Sequence, residues 1–286
     1  MSSLTVIAGY ALREALRRRV FVVVLVLTAG FLALYSFGAD RAFAETENFS
    51  FEAAQAGVDS MTLAGATVFG LAMFATLFLG AILAVFLTLG AVRGDADRGL
   101  LQPLVVRPVG RTTLLLGRFA GAALASALYV GIVYLAAVLI TGAVGGWWPD
   151  RPVMPALELA AAVAILAAVS LLGSIFLSAT ANGIAVFMVF GAGLTAGFLG
   201  QIGEALNSDT LQDIARIASW VLPFEALYQD ALTELTADTG GLTKAVVDLG
   251  PFGGAQSAGA WLWPWTAAYL VILGCIAMRA FARKDL

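Results

Sequence analysis

Histidine is absent from this 286-residue sequence, and cysteine occurs once, at Cys275. Without histidine the chain cannot form a Ser-His or Cys-His catalytic dyad, an HExxH motif or most zinc sites. A single cysteine allows no disulfide within the chain, and in an apolar segment we expect it to be an inert, small hydrophobic residue. These absences disfavour a membrane-embedded enzyme and predict no metal site.

Charged residues are also scarce. They make up 12% of the sequence, whereas 60% of the residues are apolar; soluble domains have about 25% charged residues. A water-soluble fold of this size could not bury so much apolar surface. The composition therefore predicts a membrane protein.

Two further absences concern the source of energy for any transport. The sequence has no GxxxxGK[ST] motif, so we expect this chain neither to bind nor to hydrolyse ATP, and to bind no cofactor. No Asp, Glu, Lys or Arg lies near the predicted middle of an apolar segment; Glu158 lies toward the end of one. Proton- and sodium-coupled carriers usually have such groups at mid-depth, so their absence disfavours a carrier of that kind.

Six apolar segments approach or exceed the ~20 residues that cross a bilayer as a helix. They predict an all-α, polytopic membrane protein, with the whole chain 1–286 forming one transmembrane domain. The fifth segment is short and rich in glycine. The segments are 20–37, 63–92, 114–144, 156–177, 183–199 and 260–278.

The distribution of Lys and Arg predicts the orientation. With the N-terminus in the cytoplasm, cytoplasmic pieces carry twelve basic residues and outer pieces four. We therefore expect a multi-pass protein of the inner (plasma) membrane with both termini in the cytoplasm. The four outer residues are Arg41, Arg151, Arg216 and Lys244.

The N-terminal residues 1–19 have an apolar stripe opposite arginines, which predicts a helix lying on the inner membrane surface. Arg13, Arg17 and Arg18 would then contact anionic lipid headgroups. A plain cytoplasmic extension of the first span is the alternative. A cleaved signal peptide is disfavoured because the apolar run, about 18 residues, exceeds the usual ~7–15.

The outer stretch 200–259 is too long to be a simple turn. Residues 206–217 and 224–235 have the pattern of two short amphipathic helices. Trp261, Trp263 and Trp265 follow this stretch and predict an anchor at the membrane–water interface.

Several hydroxyl side chains are expected within the spans. The preferred interpretation is that they hydrogen-bond neighbouring helices. A hydroxyl-lined path for an amphipathic substrate is the alternative. Its candidate residues are Thr76, Ser126, Tyr129, Ser174 and Thr195.

The predicted cytoplasmic loop 93–113 contains charges of both signs and two prolines. Acidic residues precede Arg98-Gly-Leu-Leu101, followed by an apolar run, Arg107-Pro-Val-Gly-Arg111 and Leu116-Gly-Arg118. This order resembles a motif of type-2 (export) ABC permeases. Leu100, Gly110 and Arg118 depart from the usual Thr, Ser and Lys. The basic start of the first span resembles the opening of the same permeases. Leu222-Pro-Phe-Glu-Ala-Leu-Tyr228 is similar to an element of the subgroup that contains the copper-processing permease of nitrous-oxide-reductase maturation, which is the most similar subgroup.

The resemblance implies a dimer of permease chains, identical or closely homologous, with separate ATPase subunits that bind ATP and magnesium. A coupling helix near 95–106 would dock on the ATPase; on charge alone, the loop could equally be a solvated one. The coupling residues implied are Asp95, Asp97, Arg98, Gly99, Leu100, Leu101, Leu104, Arg107, Pro108 and Arg111.

Two functions follow. The preferred one is ATP-driven export or extraction of a hydrophobic or amphipathic substrate. In the alternative, the chain transports nothing and transmits the motion of the ATPase to an extracytoplasmic protein through 200–259. Membrane lipid is a further expected partner, and nucleic acid is not.

Overall fold

The computed structural model describes residues 19–89, 110–248 and 256–283. All regular elements within these ranges are helical, which confirms the all-α prediction. Within the same ranges, a 3-10 turn, Glu234–Thr236, follows the seventh helix. The α-helices are α1 (Arg19–Gln55), α2 (Ser60–Thr88), α3 (Arg111–Gly145), α4 (Val153–Phe176), α5 (Ala179–Ala205), α6 (Asp209–Val221), α7 (Pro223–Thr233), α8 (Gly241–Asp248) and α9 (Leu262–Ala282).

Six of these helices, α1 to α5 and α9, are long and apolar enough to cross a membrane. The protein is therefore a multi-pass membrane protein, as the sequence predicts. With six crossings, the start of α1 and the end of α9 lie on the same side. The turn between α4 and α5, the end of α2 and the start of α3 also lie on that side, which we call the open end of the bundle.

Two spans are longer than predicted. The apolar run of the first segment ends at Phe37, but α1 continues to Gln55. Tyr35, Ala39 and Phe43 lie four residues apart and are all buried. Packing of this face therefore stabilises α1 beyond the end of its apolar run. The glycine-rich fifth segment forms a 27-residue helix whose N-terminus is capped by Ser178.

The centre of the bundle is formed by α2 and α4. Their buried side chains include Phe69, Met73, Leu77 and Ile165, none of them exposed. α4 contacts α2, α3, α5, α7 and α9. In contrast, α1, α5 and α9 expose many large apolar side chains, which suits contact with lipid or with a second chain.

Glycines allow aromatic rings to pack directly against helix backbones. Trp147 covers Gly65, Trp148 covers Gly142, and a methyl group at Gly145 would overlap Phe43. Inside a bilayer the hydrophobic effect does not drive helices together. Close packing of this kind contributes to their association instead.

Hydroxyl and amide side chains join several helices inside the bundle. Tyr129 on α3 hydrogen-bonds Thr28 on α1, and Tyr35 on α1 hydrogen-bonds Thr141 on α3. On α5, Asn182 donates to the backbone oxygen of Ser170 at 2.9 Å. These contacts fit the preferred interpretation of the span hydroxyls as links between helices.

The other end of the bundle, which we call the capped end, is covered by α6, α7 and α8. The backbone N–H of Asp59, before α2, donates to the hydroxyl of Thr243 on α8 at 2.8 Å. Arg151, before α4, pairs with Glu234 at 3.1 Å. The two short helices predicted for this stretch are present as α6 and α7, with slightly shifted limits.

α7 does not lie on the surface as an amphipathic helix would. Eight of its eleven residues are buried. The ring of Phe224 stacks on Phe190 of α5 with centroids 5.7 Å apart, and it fits beside Gly193 because that residue has no side chain. α7 is therefore part of the core.

Candidate functional site

The predicted coupling residues lie almost entirely outside the described residues. Asp95, Asp97, Arg98, Gly99, Leu100, Leu101, Leu104, Arg107 and Pro108 are in the gap between 89 and 110, and Arg111 begins α3. The end of α2 and the start of α3, which flank this gap, lie at the open end. Arg13, Arg17 and Arg18 also lie outside the described residues.

The five candidate path residues occupy separate positions. Thr76 and Ser174 are buried and donate hydrogen bonds to carbonyl oxygens of their own helices, as does Thr195 on the exposed side of α5. Tyr129 bonds Thr28. Ser126 is buried, and its hydroxyl has no partner among the described residues. None of the five lines either cavity described below, so the path stays a prediction.

A cavity of about 350 Å³ opens at the capped end between α5, α6, α7 and the start of α9. We call it the capped-end cavity. Three indole rings, Trp220, Trp261 and Trp265, line one part of it. The polar residues that line it are Glu204, Gln212, Arg216, Ser219, Glu225, Gln229, Gln256 and Ser257.

Glu225 is the most deeply buried charged residue of this cavity, with 4% of its surface exposed. Its Oε1 accepts a hydrogen bond from Nε2 of Gln229 at 2.8 Å. A methyl group at Gly197 on α5 would overlap this oxygen, so the glycine makes room for the carboxylate. Burial raises the pKa of Glu225 to about 7, although the bond from Gln229 opposes the shift.

This raised pKa predicts how Glu225→Gln changes stability. Ionisation of the buried carboxyl destabilises the folded state, and that penalty accumulates between pH 4.5 and about 7. Above pH 7, Glu225→Gln should therefore stabilise the protein by up to about 3 kcal/mol; below pH 4.5 it should have little effect. The measurement is thermal unfolding in detergent at pH 4 and pH 8, with the exposed Asp238→Asn as control. Equal shifts at both pH values would contradict the assignment.

The aromatic and polar walls of the cavity are held by specific contacts. Trp220 and Trp265 meet edge to face with centroids 5.3 Å apart, and Nε1 of Trp265 donates to the backbone oxygen of Trp220 at 2.9 Å. Glu204 accepts a hydrogen bond from Gln256 at 2.7 Å. Glu204 and Glu225 were not predicted as cavity residues from the sequence; the spacing of the tryptophans was the available signal.

A second polar group lies within the bundle, next to α7. Glu158 on α4 is fully buried, and neither carboxyl oxygen has a hydrogen-bond partner among the described residues. The carboxyl groups of Asp230 and Glu234 lie close enough to interact with it electrostatically. No group of residues in the described part of the chain has the arrangement of a metal site.

The second cavity is an apolar groove of about 470 Å³ between α3 and α4. Leu135, Val138, Leu139 and Leu157 line it together with Trp148. Tyr134 also lines the groove, and its hydroxyl is buried without a hydrogen-bond partner among the described residues. The lining of the groove suits an acyl chain better than a polar ligand.

The chain matches a known protein family. The model of a family described as "ABC-2 family transporter protein" matches residues 5–286. No curated protein matches the chain. The match covers the six spans, the capped end and the connection between α2 and α3.

Proposed function

The chain belongs to the ABC-2 family of transporter proteins, and from this premise we propose that it uses the work of a separate ATPase to export or extract a hydrophobic or amphipathic substrate. It is a permease subunit of an ABC transporter, and the family implies a partner subunit that binds ATP. The observation that carries the proposal is the family match over nearly the whole chain.

We place the ATPase contact at 93–113. This segment joins the central helix α2 to α3, and α2 packs against α4 through buried side chains such as Phe69 and Ile165. A displacement of the segment would therefore be transmitted through α2 to the core of the bundle. Its charges of both signs suit a docking surface, with Asp97 and Arg98 fixing the register and Leu100, Leu101 and Leu104 making the apolar contact.

We propose that the protein lies in the inner (plasma) membrane with the open end in the cytoplasm, as the twelve-to-four distribution of basic residues supports. The arginines of 1–19 would then face the anionic inner leaflet. The exposed apolar surfaces of α1, α5 and α9 support a second permease chain beside this one. The similarity at Leu222–Tyr228 supports the copper-processing subgroup, although a chain without histidine is poorly suited to bind copper itself.

The orientation predicts which cysteines an impermeant thiol reagent labels in intact cells. In a Cys275→Ala background, Ala56→Cys and Gly240→Cys should react, because both positions are exposed at the capped end. Gly110→Cys and Ala179→Cys are exposed at the open end and should react only after the cells are broken. The reverse pattern would show that the capped end faces the cytoplasm.

One observation favours the alternative function, in which the chain passes motion to an extracytoplasmic protein. α7 packs against α4 and α5 and anchors Phe224 between core residues, so a movement of the bundle must also move the capped end. Purified complex in nanodiscs separates the two functions. An exporter should show ATP hydrolysis stimulated by an amphipathic substrate alone, whereas a transmitter of motion should need the outer protein.

A further inference from the structure

The capped-end cavity brings acidic and aromatic side chains together around one space. Glu225 and Glu204 supply two carboxylates, and Trp220, Trp261 and Trp265 supply indole rings. A cation near the face of a tryptophan is attracted by the electrons of the ring, and the attraction strengthens when water is excluded. Carboxylates and indoles together are the surroundings that an ammonium group prefers.

The charges of the cavity select against an anionic ligand. Arg216 is the one basic residue among the described residues that line it, and its guanidinium already pairs with Asp213 at 2.9 Å. The buried Glu225 uses Oε1 to accept from Gln229, and its Oε2 receives no hydrogen bond from any described residue. Glu225 therefore has no basic partner among the described residues of the cavity, and its negative charge can attract a quaternary as well as a protonated ammonium group.

The size of the cavity and its apolar walls indicate what the ligand carries besides its positive charge. About 350 Å³ falls within the range of small-molecule sites, which begins at roughly 300 Å³. Ala215, Ala226 and Leu262 give it apolar walls against which alkyl substituents would pack. A bare inorganic cation would leave those walls unfilled.

We propose that this cavity binds an organic ammonium cation, either a free amine or the ammonium headgroup of a membrane lipid. Trp261 is 74% exposed at its mouth, where a lipid headgroup and a dissolved amine could both enter. The inference concerns binding alone, so it goes beyond the proposed function and holds for either an exporter or a transmitter of motion.

The test uses the full chain in dodecyl maltoside, without any ATPase, and radiolabelled tetraethylammonium as the probe. We expect saturable binding that unlabelled probe displaces and its neutral isostere, tetraethylmethane, does not. Glu225→Gln should weaken binding about tenfold, and Trp261→Leu by about three- to tenfold. Asp238→Asn and Trp263→Leu change a carboxylate and an indole that lie outside the cavity, and both should bind like the unaltered protein.

The dependence on pH gives an independent readout of the same carboxylate. Binding should weaken as the pH falls from 8 to 6, because Glu225 becomes neutral as the pH falls through its pKa of about 7. The surrounding charged or titratable groups are Glu204 on α5, Arg216 on α6 and Tyr228 on α7, while Glu158 on α4 interacts with Asp230. Tyr228 stays protonated in this range, because burial raises its pKa. In Glu225→Gln the dependence should disappear, and Glu225→Asp should restore part of it.

Lipid added to the micelles separates the two sources of ammonium. If the occupant is a headgroup, phosphatidylethanolamine should compete with the probe and phosphatidylglycerol should not. If the occupant is a free amine, neither lipid should compete. The proposal is overturned if tetraethylammonium shows no saturable binding, or if correctly folded Glu225→Gln and Trp261→Leu both bind as tightly as the two controls.

Discussion

Exchanging the charges of Asp97 and Arg98, as Asp97→Lys with Arg98→Glu, is expected to remove the ATPase from the purified permease. The exchange keeps the net charge and length of the segment, so the distribution of basic residues that sets orientation is hardly altered. If these side chains only meet water, their ion pairs contribute about 0–1 kcal/mol. If they lie against the ATPase, reversal creates repulsive or unpaired contacts that cost about 2–5 kcal/mol. Affinity should then fall about 30-fold or more.

The measurement is co-purification of the co-expressed ATPase, followed by ATP hydrolysis of any complex that remains. A matched control exchanges a pair at the capped end, Asp213→Arg with Arg216→Asp. These two side chains are 61% and 68% exposed, so their exchange should leave ATPase binding unchanged. Normal co-purification and hydrolysis with the Asp97 and Arg98 exchange, in a protein inserted correctly, would show that the segment is only a solvated loop.

Truncating Phe224 is expected to be the most destabilising single change at the capped end. This ring is 1% exposed and is the point at which α7 enters the core, stacked on Phe190. Phe224→Ala removes those contacts and leaves a cavity, so the folded state should lose about 3–5 kcal/mol. The nearby Val221→Ala removes an apolar side chain that is 57% exposed and should change stability by less than about 0.5 kcal/mol.

Thermal unfolding in detergent measures both variants. Gly193→Leu provides a complementary test, because it keeps Phe224 and fills the space that the ring occupies. It should also lower the unfolding temperature. If Phe224→Ala and Val221→Ala unfold at the same temperature, α7 is a surface helix and does not transmit movement of the bundle.

The six spans could be predicted because a bilayer-spanning helix needs a long apolar run, and this signal is local in the sequence. Their ends were less accurate for a physical reason. Phe43 lies beyond the apolar run of α1, but it packs where Gly145 of α3 leaves room, and this contact joins residues about a hundred positions apart. Hydropathy alone contains no information on such pairs.

The burial of α7 was not predictable from its own residues. Glu225, Gln229 and Asp230 give the segment the pattern of a surface helix. Its environment is created by α5, where Gly193 and Gly197 leave space for Phe224 and Glu225. The glycines of α5 and the side chains of α7 are both visible in the sequence, but only the fold shows that they face each other.

The candidate sites also differ in how far the sequence alone could predict them. Among the five span hydroxyls named from the sequence, Tyr129 joins two helices, whereas Thr76, Ser174 and Thr195 bond their own helices. The tryptophans after the outer stretch predicted a position at the membrane interface. Two of them, Trp261 and Trp265, line a cavity with Glu204 and Glu225, and this arrangement depends on how α5, α6 and α7 pack at the start of α9. The proposal that 93–113 contacts the ATPase depends on its motif, its position in the sequence between α2 and α3, and the family match.

Isolation of the tagged chain from its native membrane tests most directly whether it is the permease half of an ATP-driven machine. We expect an ATP-binding subunit to be recovered in equal amount, and the complex to hydrolyse ATP only with magnesium. The permease alone, after the partner is stripped away, should hydrolyse none. Recovery of the intact, folded chain under mild conditions with no ATP-hydrolysing protein bound to it would contradict this function.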